Sequence, residues 1–151
     1  MTVSDTNTPR ETGSAPLEAR RQAHHLAEDV GRLVEWRIGG PRGLQARYLR
    51  SESRARGELA ALRKGANRPP GELPEIWELT SVHVPDYAGD APTWEETAVH
   101  TAMTLYAVHQ QSQTEPMFAP GKGLGHAARS LIGPPDDENP SARARFNALV
   151  T

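Results

Sequence analysis

The sequence predicts an all-α protein, about five to six helices in small bundles behind a disordered N-terminal tail. Three observations carry this. From Leu26 onward, apolar residues recur at three- and four-residue steps; Gly- and Pro-rich breaks close each such run; and the two-residue alternation of strands is nearly absent.

In chain order, residues 1–16 are dominated by Thr, Ser, Asn, Pro and Gly and have no apolar period, so a disordered tail is expected there. A first helix follows from Leu17, with Leu26, Val30, Leu33, Val34 and Ile38 on one side and Gly39-Gly40-Pro41 as its stop. A second is expected as one continuous helix from Leu44 to Lys64. At 100° per residue, Leu44, Tyr48, Ala55, Leu59 and Leu62 then fall within about 60° of one another. Gly57 would weaken or bend this helix, Gly65 would cap it, and Pro69-Pro70-Gly71 would end it.

Leu73 to Val82 reads as a short helix presenting Ile76, Trp77 and Leu79 to the core, followed by a loop around Pro85-Asp86-Tyr87. Thr93 with Glu96 three residues later makes a capping box, and acids in the first turn suit the helix dipole. The helix it opens, Trp94 to about Gln111, carries apolar residues on several faces and is expected to be the most buried. A further short helix, LGHAARSLI, would use Leu124, Ala128 and Leu131 as its apolar face, with Gly133-Pro134-Pro135 beyond it. Asn139-Pro140 supplies an N-cap and a first-turn proline for the last helix, which holds Phe146, Leu149 and Val150. The expected division is a tail over 1–16, one bundle over 17–115, and over 116–151 the start of a second bundle that stops short.

With 151 residues, 36% of them hydrophobic and 13 Gly plus 13 Pro, the core is modest. The absence of cysteine excludes disulfides, thiolate zinc sites and cysteine nucleophiles. No apolar run nears the roughly 20 residues that span a bilayer, so a soluble, cytoplasmic protein is expected. The six histidines show no metal-ligand spacing and the serines sit in no GxSxG, so neither a metal site nor a catalytic triad is indicated. GKGLG at 121–125 lacks the spacing of a phosphate loop, and what remains is Lys122 at a helix start as a simple phosphate contact.

Charge is the strongest functional signal. Between Arg37 and Arg68 lie nine Lys and Arg but only Glu52 and Glu58, a net +7; the other residues hold eight bases and seventeen acids, a net −9. On one continuous helix Arg47, Arg50 and Arg54 would form a basic stripe beside the apolar one, without the interleaved acids that i,i+4 pairs need. Arginine suits phosphate, because its planar fork makes paired hydrogen bonds and its guanidinium stacks on unpaired bases. Nucleic-acid contact is the first reading. The alternative is a structural helical adaptor whose basic face docks an acidic protein.

LAALRKG at 59–65, AVHQQS at 107–112, GKGLGHAARSL at 121–131 and SARARFNALVT at 141–151 occur in an order and spacing that resemble CasB, the small subunit of the type I-E CRISPR Cascade complex. The resemblance covers about Leu26 to Thr151. It implies two small helical bundles, no enzymatic activity and no cofactor. It further implies a second copy of itself and the other Cascade subunits as partners, with basic side chains holding the crRNA-target DNA heteroduplex and the displaced strand to stabilise the R-loop. Arg63 and Lys64 match the family's basic pair closing its second helix, Arg145 matches the arginine of its RF motif, and Lys122 lies just before its GxxLG-like turn. Together these suggest a composite groove. Family members continue with further helices beyond RFNAL, where this chain stops.

Overall fold

The computed structural model describes residues 14–84 and 89–150, and these are helical with no strand among them. Of the tail expected over 1–16, residues 1–13 lie outside the described residues, as does the loop at 85–88, while 14–16 are already helical. The chain divides into two compact units, one reaching to Met117 and the other Phe118–Thr151.

In the first unit, α1 (Ser14–Ile38) begins three residues earlier than the sequence suggested and buries Ile38 at its end. Gly40 takes a left-handed φ of 72°, which reverses the chain. Gly43 follows with its backbone against the Ile38 and Gly39 carbonyls, where a Cβ would collide with both oxygens. This tight corner leads directly into α2.

The continuous helix expected over 44–64 is in fact two: α2 (Leu44–Leu49) and α3 (Ser53–Gly65). The break falls at Ser51, not at Gly57. Ser51 has φ 65°, its N–H donates to the Tyr48 carbonyl (2.8 Å), and the Glu52 N–H reaches the Arg47 carbonyl (3.1 Å). That bond pair is a Schellman closure with serine in the position that glycine usually takes, at a cost of roughly 1–2 kcal/mol for the left-handed backbone. The α2–α3 corner still buries four of the five expected apolar residues, Leu44, Ala55, Leu59 and Leu62, while Tyr48 is only partly buried.

Beyond α3, a 3-10 turn (Pro74–Ile76) runs into the four-residue α4 (Trp77–Thr80). Ile76 is buried as expected, but Trp77 lies half-exposed with its indole N–H on the Gly71 carbonyl (2.9 Å). Helix α5 (Trp94–Gln110) opens on the full Thr93–Glu96 capping box. It packs against α1, α3 and α4, with Val99, His100, Met103, Thr104, Tyr106 and Ala107 buried. Leu105 and Val108 face solvent, so α5 buries one broad side, yet it carries more buried residues than α2 or α3, in line with the expectation of the most buried helix.

Gln110 ends α5 as a buried amide with every group engaged. Its oxygen accepts from the Met117 N–H (3.0 Å) and more weakly from the Tyr106 hydroxyl (3.4 Å), and its nitrogen donates to the Gln113 (3.3 Å) and Glu115 (3.0 Å) carbonyls. It thereby folds the 111–117 loop onto the helix end. Burial raises the ionisation of the Tyr106 hydroxyl well above its ordinary range, with the Tyr48 hydroxyl adding to the shift, so Tyr106 stays neutral here.

In the second unit, α6 (Leu124–Ile132) packs on α7 (Pro140–Val150). Its inward face is Ala128 and Ile132; Leu131, expected inside, is 72% exposed. The side chains of Leu124, Leu149 and Val150 are not among those described. Asn139 caps α7 as its sequence suggested, its side-chain oxygen accepting from the Ser141 and Ala142 N–H groups (both 3.1 Å).

Candidate nucleic-acid interface

The chain break at Ser51 undoes the expected Arg47–Arg50–Arg54 stripe. Arg47 and Arg54 converge on one carboxylate: the Arg47 guanidinium meets Glu58 at 2.6 Å and Arg54 meets it at 2.9 Å, the latter an i,i+4 pair. Both Arg47 and Glu58 are largely buried, so this bridge pins α2 to α3. Arg50 turns back onto Glu52 (2.8 Å) and the Pro41 carbonyl (3.0 Å). These three arginines therefore brace the corner and present no common basic row.

Other bases of the stretch are also engaged. The Arg37 guanidinium donates to the Leu79 (2.9 Å) and Ser81 (2.5 Å) carbonyls, tying the end of α1 to the end of α4, and burial lowers its pKa. Lys64 meets Glu75 at 3.4 Å and Arg68 pairs with Glu72. The acids Glu72, Glu75 and Glu78 follow immediately after the basic stretch. Counting them, residues 37–78 hold nine bases and five acids, a net +4 where the shorter window gave +7.

What stays open is narrower and better defined. Arg56 and Arg63 on α3, and Arg42 before α2, are exposed and make no ion pair or side-chain hydrogen bond among the described residues. Seven residues apart, Arg56 and Arg63 lie within about 20° on the helix and about 10 Å apart along it. Ser53, Gly57 and Ala60, all exposed, leave the surface beside them low, and exposed Lys64 stands at the C-terminal end of that strip. Sequence reasoning singled out Arg63 and passed over Arg56, although their i,i+7 spacing puts them on one side of the helix.

The second unit holds the other two candidates. Lys122 is exposed just before the Gly123 N-cap of α6. Arg145 is exposed on α7, at the edge of an apolar cleft of about 370 Å³ that Leu131, Ile132 and Phe146 help to line. Neighbouring Arg143 is engaged instead with Glu138, whose pKa the Arg143 hydrogen bond holds below the usual carboxylate range. Among the described residues no group of three His, Asp or Glu could hold a metal ion, and no helix is long and apolar enough to cross a membrane.

The motif residues within the core have structural tasks. Leu59 and Leu62 of LAALRKG are buried, and Gly65 closes it at a point of close approach. Its carbonyl sits 3.0 Å from the ring Nε2 of buried His100, and a Cβ there would stand 2.8 Å from the Ile76 Cδ1. Gly65 was expected as the C-cap, a position that Ala66 takes. Gly65 is instead the last residue of α3, and glycine is needed there for space.

A family model described as CRISPR-associated protein Cse2 matches residues 58–151, a segment that contains Arg63, Lys64, Lys122 and Arg145 but not Arg47, Arg50, Arg54 or Arg56. Neither a curated protein nor a solved structure gives a match. Since that segment is more than half of the chain, the protein belongs to the Cse2 family, the CasB-type small subunit of the type I-E CRISPR Cascade complex.

Proposed function

We infer that this subunit is a non-catalytic holder of nucleic-acid backbone within Cascade, gripping target and displaced DNA strands so that the R-loop persists. The observation that carries the reading is the pair of exposed, unengaged arginines on α3, Arg56 and Arg63, over a low helical surface. Exchanging a DNA duplex for a heteroduplex is nearly balanced in free energy, so a few phosphate contacts are enough to tip it. Lys64, Lys122 and Arg145 would add contacts of the same kind. Contacts to phosphate need no base sequence, and affinity should fall steeply with salt as counterions are released. Other Cascade subunits, and a second copy of this chain, are the protein partners of this reading. Arg47 has no part in it, because its charge is held in a largely buried bridge to Glu58, while Arg50 and Arg54 are paired with Glu52 and Glu58 at the α2–α3 corner.

The test is a mobility-shift salt titration of Arg56→Ala/Arg63→Ala against the parent chain. The expected result is weaker binding to single- and double-stranded DNA alike. The slope of log K against log salt should flatten by about two for duplex, near one for each phosphate that is no longer neutralised. An unchanged slope removes these residues from the interface. A structural adaptor docking an acidic protein would instead leave the isolated chain without nucleic-acid binding even at low salt.

A further inference from the structure

Three carboxylates spaced three residues apart, Glu72, Glu75 and Glu78, meet in reverse order Arg54 and Lys64 on α3 and Arg68 three residues beyond its end. Glu72 pairs with Arg68, Glu75 with Lys64 at 3.4 Å, and Glu78 reaches Arg54 at 3.8 Å. The row is built across the 3-10 turn and α4, and its backbone is fixed from beneath. Ile76, between the acids, is buried against Gly65 of α3, and Thr80 is buried with its hydroxyl on the Ile76 carbonyl (3.0 Å). Trp77 ties the same turn to the Gly71 carbonyl. The segment is therefore held in place while its carboxylates stay at the surface: Glu75 is 53% and Glu78 90% exposed.

We propose that Glu72, Glu75 and Glu78 act as a built-in competitor for phosphate, a fixed row of negative charge that occupies part of the basic face of α3 and sets how much nucleic acid the chain holds. The inference rests on the reading of α3 as a backbone-binding face. Exposed ion pairs of this kind are weak and exchange readily, so a ligand with closely spaced phosphates can displace the carboxylates from Lys64 and Arg68. A ligand offering few phosphates cannot. The row thus discriminates by charge density: it suppresses loose, non-specific capture by the isolated chain and favours strands presented to α3 at high local concentration. Arg56 and Arg63, which no carboxylate reaches among the described residues, make the first contact, and Lys64 and Arg68 join once their partners are displaced.

The experiment compares three full-length chains on a single-stranded and a duplex DNA of arbitrary sequence: the parent, Glu72→Gln/Glu75→Gln/Glu78→Gln, and Glu115→Gln/Asp136→Asn/Asp137→Asn. The last removes the same charge from exposed acids that make no ion pair among the described residues. Thermal melts confirm that each is folded. Freeing Lys64 and Arg68 should tighten binding about tenfold or more near 100 mM salt and steepen the salt slope by about one to two. The control should gain little, since among the described residues the ion pairs to Arg54, Lys64 and Arg68 come from Glu78, Glu75 and Glu72 and from Glu58, not from these acids. Equal gains in the two variants would overturn the competitor and leave the binding face standing. Absence of binding by all three chains at low salt would overturn the binding face, and the competitor with it.

Discussion

Replacing Gly65 with valine is expected to cost about 3–5 kcal/mol and to lower the melting temperature by roughly 10 °C or more. A Cβ at this position alone would stand 2.8 Å from the Ile76 Cδ1 and 3.2 Å from the Thr104 Cγ2. The added methyls would force α3 away from α5, and the bond between the Gly65 carbonyl and the His100 ring would open with them. Overpacking alone costs about 1–3 kcal/mol and a stranded buried polar pair a similar amount. Thermal melting followed by circular dichroism reads the loss. Gly57→Ala in the same helix is the internal comparison: nothing lies within 4 Å of a Cβ there, so the better helix former should raise stability by up to about 1 kcal/mol. Two glycines of one helix should therefore respond with opposite signs. A tolerated Gly65→Val would show that α3 and α5 do not approach as closely as the structure has them.

The second large effect is functional. Reversing both open charges, Arg56→Glu/Arg63→Glu, is expected to weaken R-loop formation by the assembled Cascade about a hundredfold near 100 mM salt, since giving up two phosphates already removes a factor of tens before repulsion is added. Both side chains are on the surface and make no ion pair among the described residues. Stability should accordingly stay within about 0.5 kcal/mol of the parent. The same reversal at Arg47 would act through folding, because the Arg47–Glu58 bridge is largely buried and would become a repulsive carboxylate pair. Filter binding on a matched target, alongside melting curves, separates the two outcomes.

Features fixed by neighbours in sequence were legible without coordinates. The Thr93–Glu96 box, the Asn139-Pro140 start of α7 and the Gly39-Gly40-Pro41 stop each use residues within a few positions of one another, and all three stand in the structure. The break at Ser51 was hidden for a physical reason: a serine in the left-handed region is a cost, and nothing in Leu49-Arg50-Ser51-Glu52 announces it. The apolar spacing of Leu44 through Leu62 also suits one straight helix as well as two bent ones. The basic surface was misjudged for a different reason. Charge counted along a window cannot see partners that arrive from outside it, and Glu72, Glu75 and Glu78 lie just past the window's edge. The count chose Arg47, Arg50 and Arg54 over Arg56 because it could not tell engaged guanidinium groups from open ones.

The core claim is that α3 presents cations to nucleic-acid backbone without reading sequence, and the dependence of log K on log salt for the isolated parent chain tests it most directly. Titrations between about 50 and 200 mM salt, on single strands and duplexes of unrelated sequence, should give weak binding that falls linearly with a slope of about −2 to −4, alike across sequences. No binding at the lowest salt, or binding that is flat in salt and differs between sequences, would contradict the claim.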